Sequence, residues 1–212
     1  MMLVAVALTV GRPLVIDFLR GYLAQSLTCP LVLWADGVPL ERGNLPPHVH
    51  VVQGPPLGSP TSIGPVRDAA CRYALAELGA THLAMLDDDD GYAPDHLKVT
   101  AEALGTGATW VGARRYVRRG LDGSERLIEC PAGSLPGAWG MPAATYLASG
   151  GYRDVRVEDA DLARRIGWAS MYRPDVPPTY TYVEHGANWF LTHQHRRADL
   201  RRAFDPVATL AV

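Results

Sequence analysis

Four consecutive carboxylates, at residues 87–90, are the side chains of this sequence best suited to chemistry. They follow the apolar run 81–86, whose length and composition predict a buried strand. Crowded carboxylates either raise one another's pKa values or recruit a cation. Their hard oxygen ligands suit Mg²⁺, Mn²⁺ or Ca²⁺. On extended backbone, Asp87 and Asp89 would point to one side, and Asp88 and Asp90 to the other.

The acidic run has two other interpretations. Acidic runs are common in solvated loops, and that alternative stays open. A calcium-binding EF-hand is excluded by spacing: with Gly91 at the sixth loop position, the first and twelfth positions are Leu86 and Leu97, which offer no side-chain oxygen. The run is therefore predicted to be a metal site at the carboxyl end of a strand, where open α/β sheets bind ligands.

A second acidic group comprises Glu158, Asp159 and Asp161. Acidic residues in the first turn of a helix interact favourably with its dipole, and Asp161 with Arg165 forms an i,i+4 pair. These structural roles explain the acidity of the segment. They do not require Glu158 and Asp159 to stand together, so the pair remains a candidate for function.

The elements that must position these residues alternate between strands and helices. An α/β fold follows, with a mainly parallel sheet flanked by helices on both faces. The first half has predicted strands over residues 3–8, 31–35, 49–52 and 81–86, and helices over 13–25 and 61–78. The second half has predicted helices over 95–104, 142–148 and from about 157, and strands over 108–116, 126–130 and 179–184. A hairpin signal at Asp122 and Gly123 predicts a small antiparallel element there.

Composition limits the class of protein. The chain has 212 residues, a net charge of −2 and a pI of about 6.4, which argues against a general nucleic-acid binder. No apolar run reaches the ~18 residues that span a bilayer, and residues 1–10 favour a first strand over a signal peptide. The three cysteines form no zinc pattern. A reducing cytoplasm is therefore the expected location.

Four sequence blocks, in order over roughly residues 2–190, carry a family resemblance. They are 32–37 (VLWADG), Arg67 with Asp68, 85–90 (MLDDDD), and 150–152 (GGY) followed by 157–165 (VEDADLARR). In this order they resemble the GT-A glycosyltransferases, closest to the family-2-like group. The family usually has Arg-Asn and Gly-Gly-Phe where this chain has Arg67-Asp68 and a tyrosine at 152. The resemblance implies a single GT-A-like catalytic domain over 1–212, with a nucleotide-binding half (about 1–105) and an acceptor half (about 106–212).

The resemblance implies a metal-dependent glycosyltransferase with a nucleoside-diphosphate sugar, a UDP-sugar in most members, as donor. Asp89 and Asp87 would hold Mn²⁺ or Mg²⁺, which neutralises the departing diphosphate. Asp87 and Asp88 would also contact the donor, and Asp36 and Arg67 would line the nucleoside pocket. The alternative for Asp36 is a turn residue in Asp-Gly.

The remaining implied roles concern the acceptor and the metal. Asp159 would be the general base of an inverting reaction, with Glu158 orienting the acceptor; a retaining reaction stays open. Trp139 could stack on a sugar ring, or simply pack in the core. His185 falls where several GT-A enzymes have a further metal ligand, although His193, His195 and a purely structural role stay open.

The expected acceptor is soluble: a small molecule, a protein or a modified nucleic acid. Two alternative functions remain. A nucleotidyltransferase of related fold usually has a Gly-rich loop with Arg and Lys after its first strand, and residues 8–13 (LTVGRP) lack that loop. A non-catalytic sugar- or Ca²⁺-binding module would not need acidic residues at both the metal and the base positions.

Overall fold

The computed structural model describes residues 1–58, 62–130, 138–167 and 170–185. Its helices are α1 (Leu14–Leu23), α2 (Gly64–Leu78), α3 (His96–Gly105), α4 (Ala143–Ala148) and α5 (Glu158–Ile166). Its strands are β1 (Leu3–Thr9), β2 (Leu31–Asp36), β3 (Val49–Gly54), β4 (His82–Asp87), β5 (Gly91–Tyr92), β6 (Trp110–Gly112), β7 (Arg115–Arg119), β8 (Glu125–Glu129), β9 (Trp139–Pro142), β10 (Met171–Tyr172) and β11 (Tyr180–Val183).

A seven-stranded sheet in the order β10-β6-β9-β4-β1-β2-β3 forms the centre. The strand pairs of β4, β1, β2 and β3 are parallel, and β9 runs antiparallel to both of its neighbours. A second sheet has the order β5-β11-β7-β8. The predicted α/β architecture is confirmed.

Helices cover both faces of the central sheet, as predicted. One core contains Phe18 of α1 and Leu97 of α3, and the other contains Val66 of α2 and Leu162 of α5. Strands covered on both faces must be apolar throughout, which explains the continuous apolar runs of β1 and β2. Gly79 ends α2 in the left-handed conformation (φ 65°) that glycine adopts without strain.

The second half departs from prediction in three places, one of which is the short strand β10, which was not predicted. The single strand predicted over 108–116 is two strands, because β6 joins the central sheet and β7 joins the second sheet. The predicted hairpin is confirmed: β7 and β8 pair antiparallel around Gly123. Strand β9, which was not predicted, fills the gap between β4 and β6. It is only four residues long and contains Gly140, so its sequence carries a weak strand signal.

The described parts of the chain contain no helix that is both long and apolar enough to cross a membrane.

Gly64, at the start of α2, allows this helix to approach the chain before α5. A Cβ at this position would lie 1.9 Å from the carbonyl oxygen of Arg153 and 3.2 Å from Cβ of Glu158. We expect Gly64→Ala to lower the free energy of unfolding by about 2 kcal/mol, because backbone must move to relieve the overlap. Urea denaturation measures this change.

Gly105→Ala is the matched control. Nothing lies within 4 Å of a Cβ added to Gly105, at the end of α3. Alanine has the higher helix propensity, so this variant should be unchanged or stabilised by up to about 1 kcal/mol. Equal stability of Gly64→Ala and the wild type would contradict the close approach.

Candidate functional site

The candidate site lies at the carboxyl ends of β1, β2 and β4. These strands are parallel neighbours, with Leu8 of β1 opposite Asp87 of β4. Asp36 is the last residue of β2, and Asp87 is the last residue of β4. The parallel order therefore brings two of the predicted site residues to one edge of the sheet, where open α/β sheets bind ligands.

The acidic run is a turn rather than extended backbone. The strand ends at Asp87, and the N–H of Asp90 donates to the carbonyl oxygen of Asp87 at 3.4 Å. The predicted alternation of the four side chains is therefore wrong, since it holds only along a strand. Each carboxylate instead has its own partners.

Asp90 is a structural residue that joins the turn to the second sheet. Its carboxylate accepts hydrogen bonds from the Tyr180 hydroxyl at 2.6 Å and from the Val183 N–H at 2.9 Å, both on β11. Burial, with repulsion from Asp87 and Asp89, holds the pKa of Asp90 well above its usual range. The contact fixes β11, which leads directly to His185.

Arg67 of α2 is the centre of the second acidic group. Its buried guanidinium contacts Asp87 at 2.8 Å, Glu158 at 3.4 Å and Asp159 at 3.7 Å, and it lies over the ring of Tyr152. Arg67 was predicted to line the nucleoside pocket. The structure places it between the two acidic segments, where it joins the end of β4 to the start of α5.

Three carboxylates around one guanidinium leave an excess of negative charge. Burial, then repulsion from Asp159, raises the pKa of Glu158 to about 7. Burial also raises the pKa of Asp87 to about 6, although Arg67 opposes that shift. At neutral pH this group is therefore poised to bind a proton or a cation.

Asp159 is the most accessible carboxylate of the pair at the start of α5. Its side chain is 26% exposed, whereas that of Glu158 is 9% exposed. The Tyr152 hydroxyl donates a hydrogen bond to Oδ1 of Asp159 at 3.0 Å. The Tyr152 hydroxyl therefore gives Asp159 a partner that fixes its orientation.

Asp68, next to Arg67 on α2, joins two segments that are distant in the sequence. Its Oδ1 accepts hydrogen bonds from the Tyr146 hydroxyl and from the Tyr152 N–H, the latter at 3.2 Å. Gly151 makes this approach possible, because a Cβ there would lie 2.3 Å from Oδ1 of Asp68. The contact holds the segment that carries Tyr152 against α2.

His185 lies beside Asp89, and its role as a metal ligand stays a prediction. Its Nε2 is 2.8 Å from Oδ2 of Asp89. Burial acts to raise the pKa of Asp89, but the hydrogen bond with His185 and the charge of Arg12 lower it overall. The competing candidates His193 and His195 lie outside the described residues.

The Asp89 and His185 pair fits two adjacent ligands of one divalent ion. Ligand atoms about 2.1 Å from an octahedral ion, at right angles, are about 3 Å apart. Asp87 is engaged by Arg67 instead. Within residues 1–58, 62–130, 138–167 and 170–185, no group of three or more His, Cys, Asp or Glu side chains is arranged to hold a metal. Metal binding by Asp89 and His185 therefore stays a prediction.

Two predicted donor contacts have other partners. Asp36 accepts hydrogen bonds from the N–H groups of Leu57 and Gly58, at 2.7 and 3.1 Å, and so holds the loop after β3; its nucleoside contact stays a prediction. Trp139 is 4% exposed and packs against Trp110 and Tyr152. The core-packing alternative for Trp139 is the one that the structure shows.

Arg12 is a site residue that the sequence interpretation missed. It lies in the loop between β1 and α1 and contacts Asp88 at 2.7 Å and Asp89 at 3.0 Å. A signal was available: residues after the first strand of an α/β sheet lie at its ligand-binding edge. Arg12 is the only charged residue in the loop 10–13.

Solved structures share this architecture. The chain superimposes on TarS 1-349 from S. aureus in complex with UDP-GlcNAc with a TM-score of 0.69 and 11% identity, covering 91% of this chain and 61% of that one. Another structure of TarS 1-349 superimposes with a TM-score of 0.63 and 11% identity, covering 86% of this chain and 60% of that one. The chain has a GT-A fold. It spans only about three fifths of these TarS chains. No protein-family model and no curated protein matches its sequence.

The raised pKa of Glu158 predicts a pH dependence of stability. Between its ordinary value of 4.5 and about 7, this carboxyl binds more protons in the folded protein than in the unfolded chain. The free energy of unfolding therefore falls as pH rises through that window. We expect the wild type to lose about 2 kcal/mol relative to Glu158→Gln between about pH 5 and pH 8.

Urea denaturation of both proteins in EDTA, across this pH range, measures the difference. Glu129→Gln is the control, since Glu129 is exposed on β8. A stability difference between wild type and Glu158→Gln that does not change with pH would contradict the raised pKa.

Proposed function

We propose that this protein is a glycosyltransferase that moves a sugar from a nucleoside-diphosphate sugar, a UDP-sugar by preference, to an acceptor hydroxyl. One observation carries the proposal: Arg67 joins the acidic turn after β4 to Glu158 and Asp159 at the start of α5. A GT-A fold thus has its candidate donor and base carboxylates side by side. The binding of UDP-GlcNAc by the TarS chain supports the choice of donor.

The donor occupies the edge formed by β1, β2 and β4. Asp36, at the end of β2, faces the loop that follows β3 and binds the nucleoside. The diphosphate lies over the turn that contains Asp88 and Asp89. Arg67 does not contact the nucleobase. It holds Asp87 and the start of α5 in place.

Asp89 and His185, with Asp87 nearby, would hold a divalent cation, Mn²⁺ or Mg²⁺, which when bound would supply positive charge for the leaving diphosphate. Two protein ligands would leave room for the donor to bind the same ion. Such a site binds its ion weakly alone and firmly together with the donor.

Asp159 is the general base. Its Oδ1 is fixed by the Tyr152 hydroxyl, and its Oδ2 faces Arg67, so the carboxylate is oriented before the acceptor arrives. It takes the proton of the acceptor hydroxyl while that oxygen bonds to the anomeric carbon. The bond between the anomeric carbon and the diphosphate oxygen breaks at the same time, and attack from the opposite face inverts the configuration. Glu158, more deeply buried, orients the acceptor.

Asp159→Asn tests the base. The amide keeps the size and the hydrogen bond with Tyr152 but cannot accept the proton. We expect kcat to fall by ~100- to 10,000-fold, with donor binding retained, because loss of a positioned base has a cost of this order. A transfer assay gives kcat, and calorimetry with the donor and MnCl₂ gives affinity.

Asp154→Asn, an exposed carboxylate in the segment before α5, is the control and should keep its activity. Full activity of Asp159→Asn would reject the base. A product with the anomeric configuration of the donor, read from NMR coupling constants, would reject inversion alone. A wild type that binds donor but never transfers sugar would favour the non-catalytic binding module.

Asp89→Ala tests the metal site. We expect it to abolish the part of donor affinity that depends on Mn²⁺, because the variant removes an anionic ligand. Calorimetry with UDP, in MnCl₂ and then in EDTA, separates the two contributions. Asp17→Ala, which removes an exposed carboxylate from α1, should bind like the wild type. Equal enhancement by Mn²⁺ in Asp89→Ala and the wild type would place the ion elsewhere.

A further inference from the structure

The guanidinium of Arg12 is paired with two carboxylates of the acidic turn. Its Nη2 lies 2.7 Å from Oδ1 of Asp88, and its Nη1 lies 3.0 Å from Oδ2 of Asp89. Its side chain is 24% exposed, so solvent and ligands reach it. The guanidinium of Arg12, which belongs to the loop between β1 and α1, therefore bridges the two consecutive carboxylates.

The oxygen that Arg12 contacts is the one that a metal would need. Oδ2 of Asp89 also lies 2.8 Å from Nε2 of His185, and these two atoms are the proposed metal ligands. An ion about 2.1 Å from that oxygen would share it with the guanidinium. Two cations on one carboxylate oxygen repel strongly, so they cannot both bind it well.

We propose that Arg12 neutralises Asp89 while no metal is bound. Once a divalent ion displaces the guanidinium from Asp89, Arg12 binds the donor diphosphate instead. The first half of this exchange rests on the proposed metal site, and the second half rests also on the proposed donor. The first half concerns a competition between Arg12 and the metal for one oxygen of Asp89.

Asp88 keeps Arg12 at the turn after the exchange. The carboxylate of Asp88 is 3% exposed and is paired with Nη2, so it cannot easily give up its cation to solvent. Only the contact between Nη1 and Asp89 needs to break. The freed part of the guanidinium then has N–H donors for phosphate oxygens, which the planar fork of arginine binds well.

The charges at the turn favour this order of events. Asp88, Asp89 and Arg12 together carry a net charge of about −1, which repels a diphosphate. A divalent ion brings the group to about +1, which attracts a diphosphate. Cation and diphosphate should therefore bind cooperatively.

Arg12→Gln separates the two halves of the exchange. Glutamine retains polar hydrogen-bonding groups but removes the charge. With MnCl₂ alone, we expect the variant to bind Mn²⁺ about tenfold more tightly than the wild type, because the competitor is gone. With MnCl₂ and UDP together, we expect it to bind UDP about tenfold more weakly, because a phosphate ligand is gone. Electron paramagnetic resonance measures free Mn²⁺, and calorimetry measures UDP binding.

Two further variants make the result specific. Arg20→Gln removes the same charge from an exposed ion pair on α1, and both affinities should match the wild type. Arg12→Lys keeps the charge without the fork, so Mn²⁺ binding should stay near that of the wild type while UDP binding weakens. Thermal unfolding confirms that each variant is folded.

A merely structural role for Arg12 would weaken both bindings or neither, and either outcome overturns the proposal. Tighter Mn²⁺ binding that persists in the double variant Arg12→Gln, Asp89→Ala would overturn it as well, because the ion would then lie elsewhere. Failure of sugar transfer in the wild type would reject the proposed function. The competition between Arg12 and Mn²⁺ would still be supported if Arg12→Gln, and neither Arg20→Gln nor Arg12→Lys, binds Mn²⁺ more tightly than the wild type.

Discussion

The rest of the site depends on one buried cation, the guanidinium of Arg67. A charge that is only 4% exposed must be paired, and its partners come from two segments distant in sequence: Asp87 after β4, and Glu158 with Asp159 on α5. The pairing therefore fixes the spacing between the candidate metal turn and the candidate base. Gly64 allows the same close packing, since a side chain there would push α2 away from the segment before α5.

The acidic turn shows how four identical residues acquire different roles. Asp90 is bonded to β11 and joins the two sheets, whereas Asp87 is bound to Arg67. Asp88 is buried against Arg12, and Asp89 is shared between Arg12 and His185. The contact of Asp90 with β11 also positions His185 beside Asp89, because His185 follows β11 closely. Structural contacts and proposed chemical roles thus fall on neighbouring residues.

Electrostatics links the proposed reaction to the fold. Asp87, Asp88, Asp89, Glu158 and Asp159 lie around two arginines, Arg12 and Arg67. Burial, together with repulsion among these carboxylates, raises the pKa of Glu158 and of Asp87, and a divalent ion would relieve the repulsion. The proposed reaction would use this group to bind a cation and then the diphosphate of the donor. The GT-A fold itself does not decide the sugar or the acceptor, since function resides in the site.

The sequence alone determined the alternation of strands and helices in the first half, because apolar runs and helical periodicity are local properties. It also placed Asp87 at a strand end and Glu158 at a helix start. It could not show that 108–116 divides between two sheets, or that the weak segment at Trp139 is a strand, because such strands are stabilised by their neighbours. Nor could it show that Arg67 joins the two acidic groups, or that Arg12 shares an oxygen of Asp89 with His185. Those contacts join residues far apart in the chain, and only the packing of the tertiary structure brings them within reach of each other.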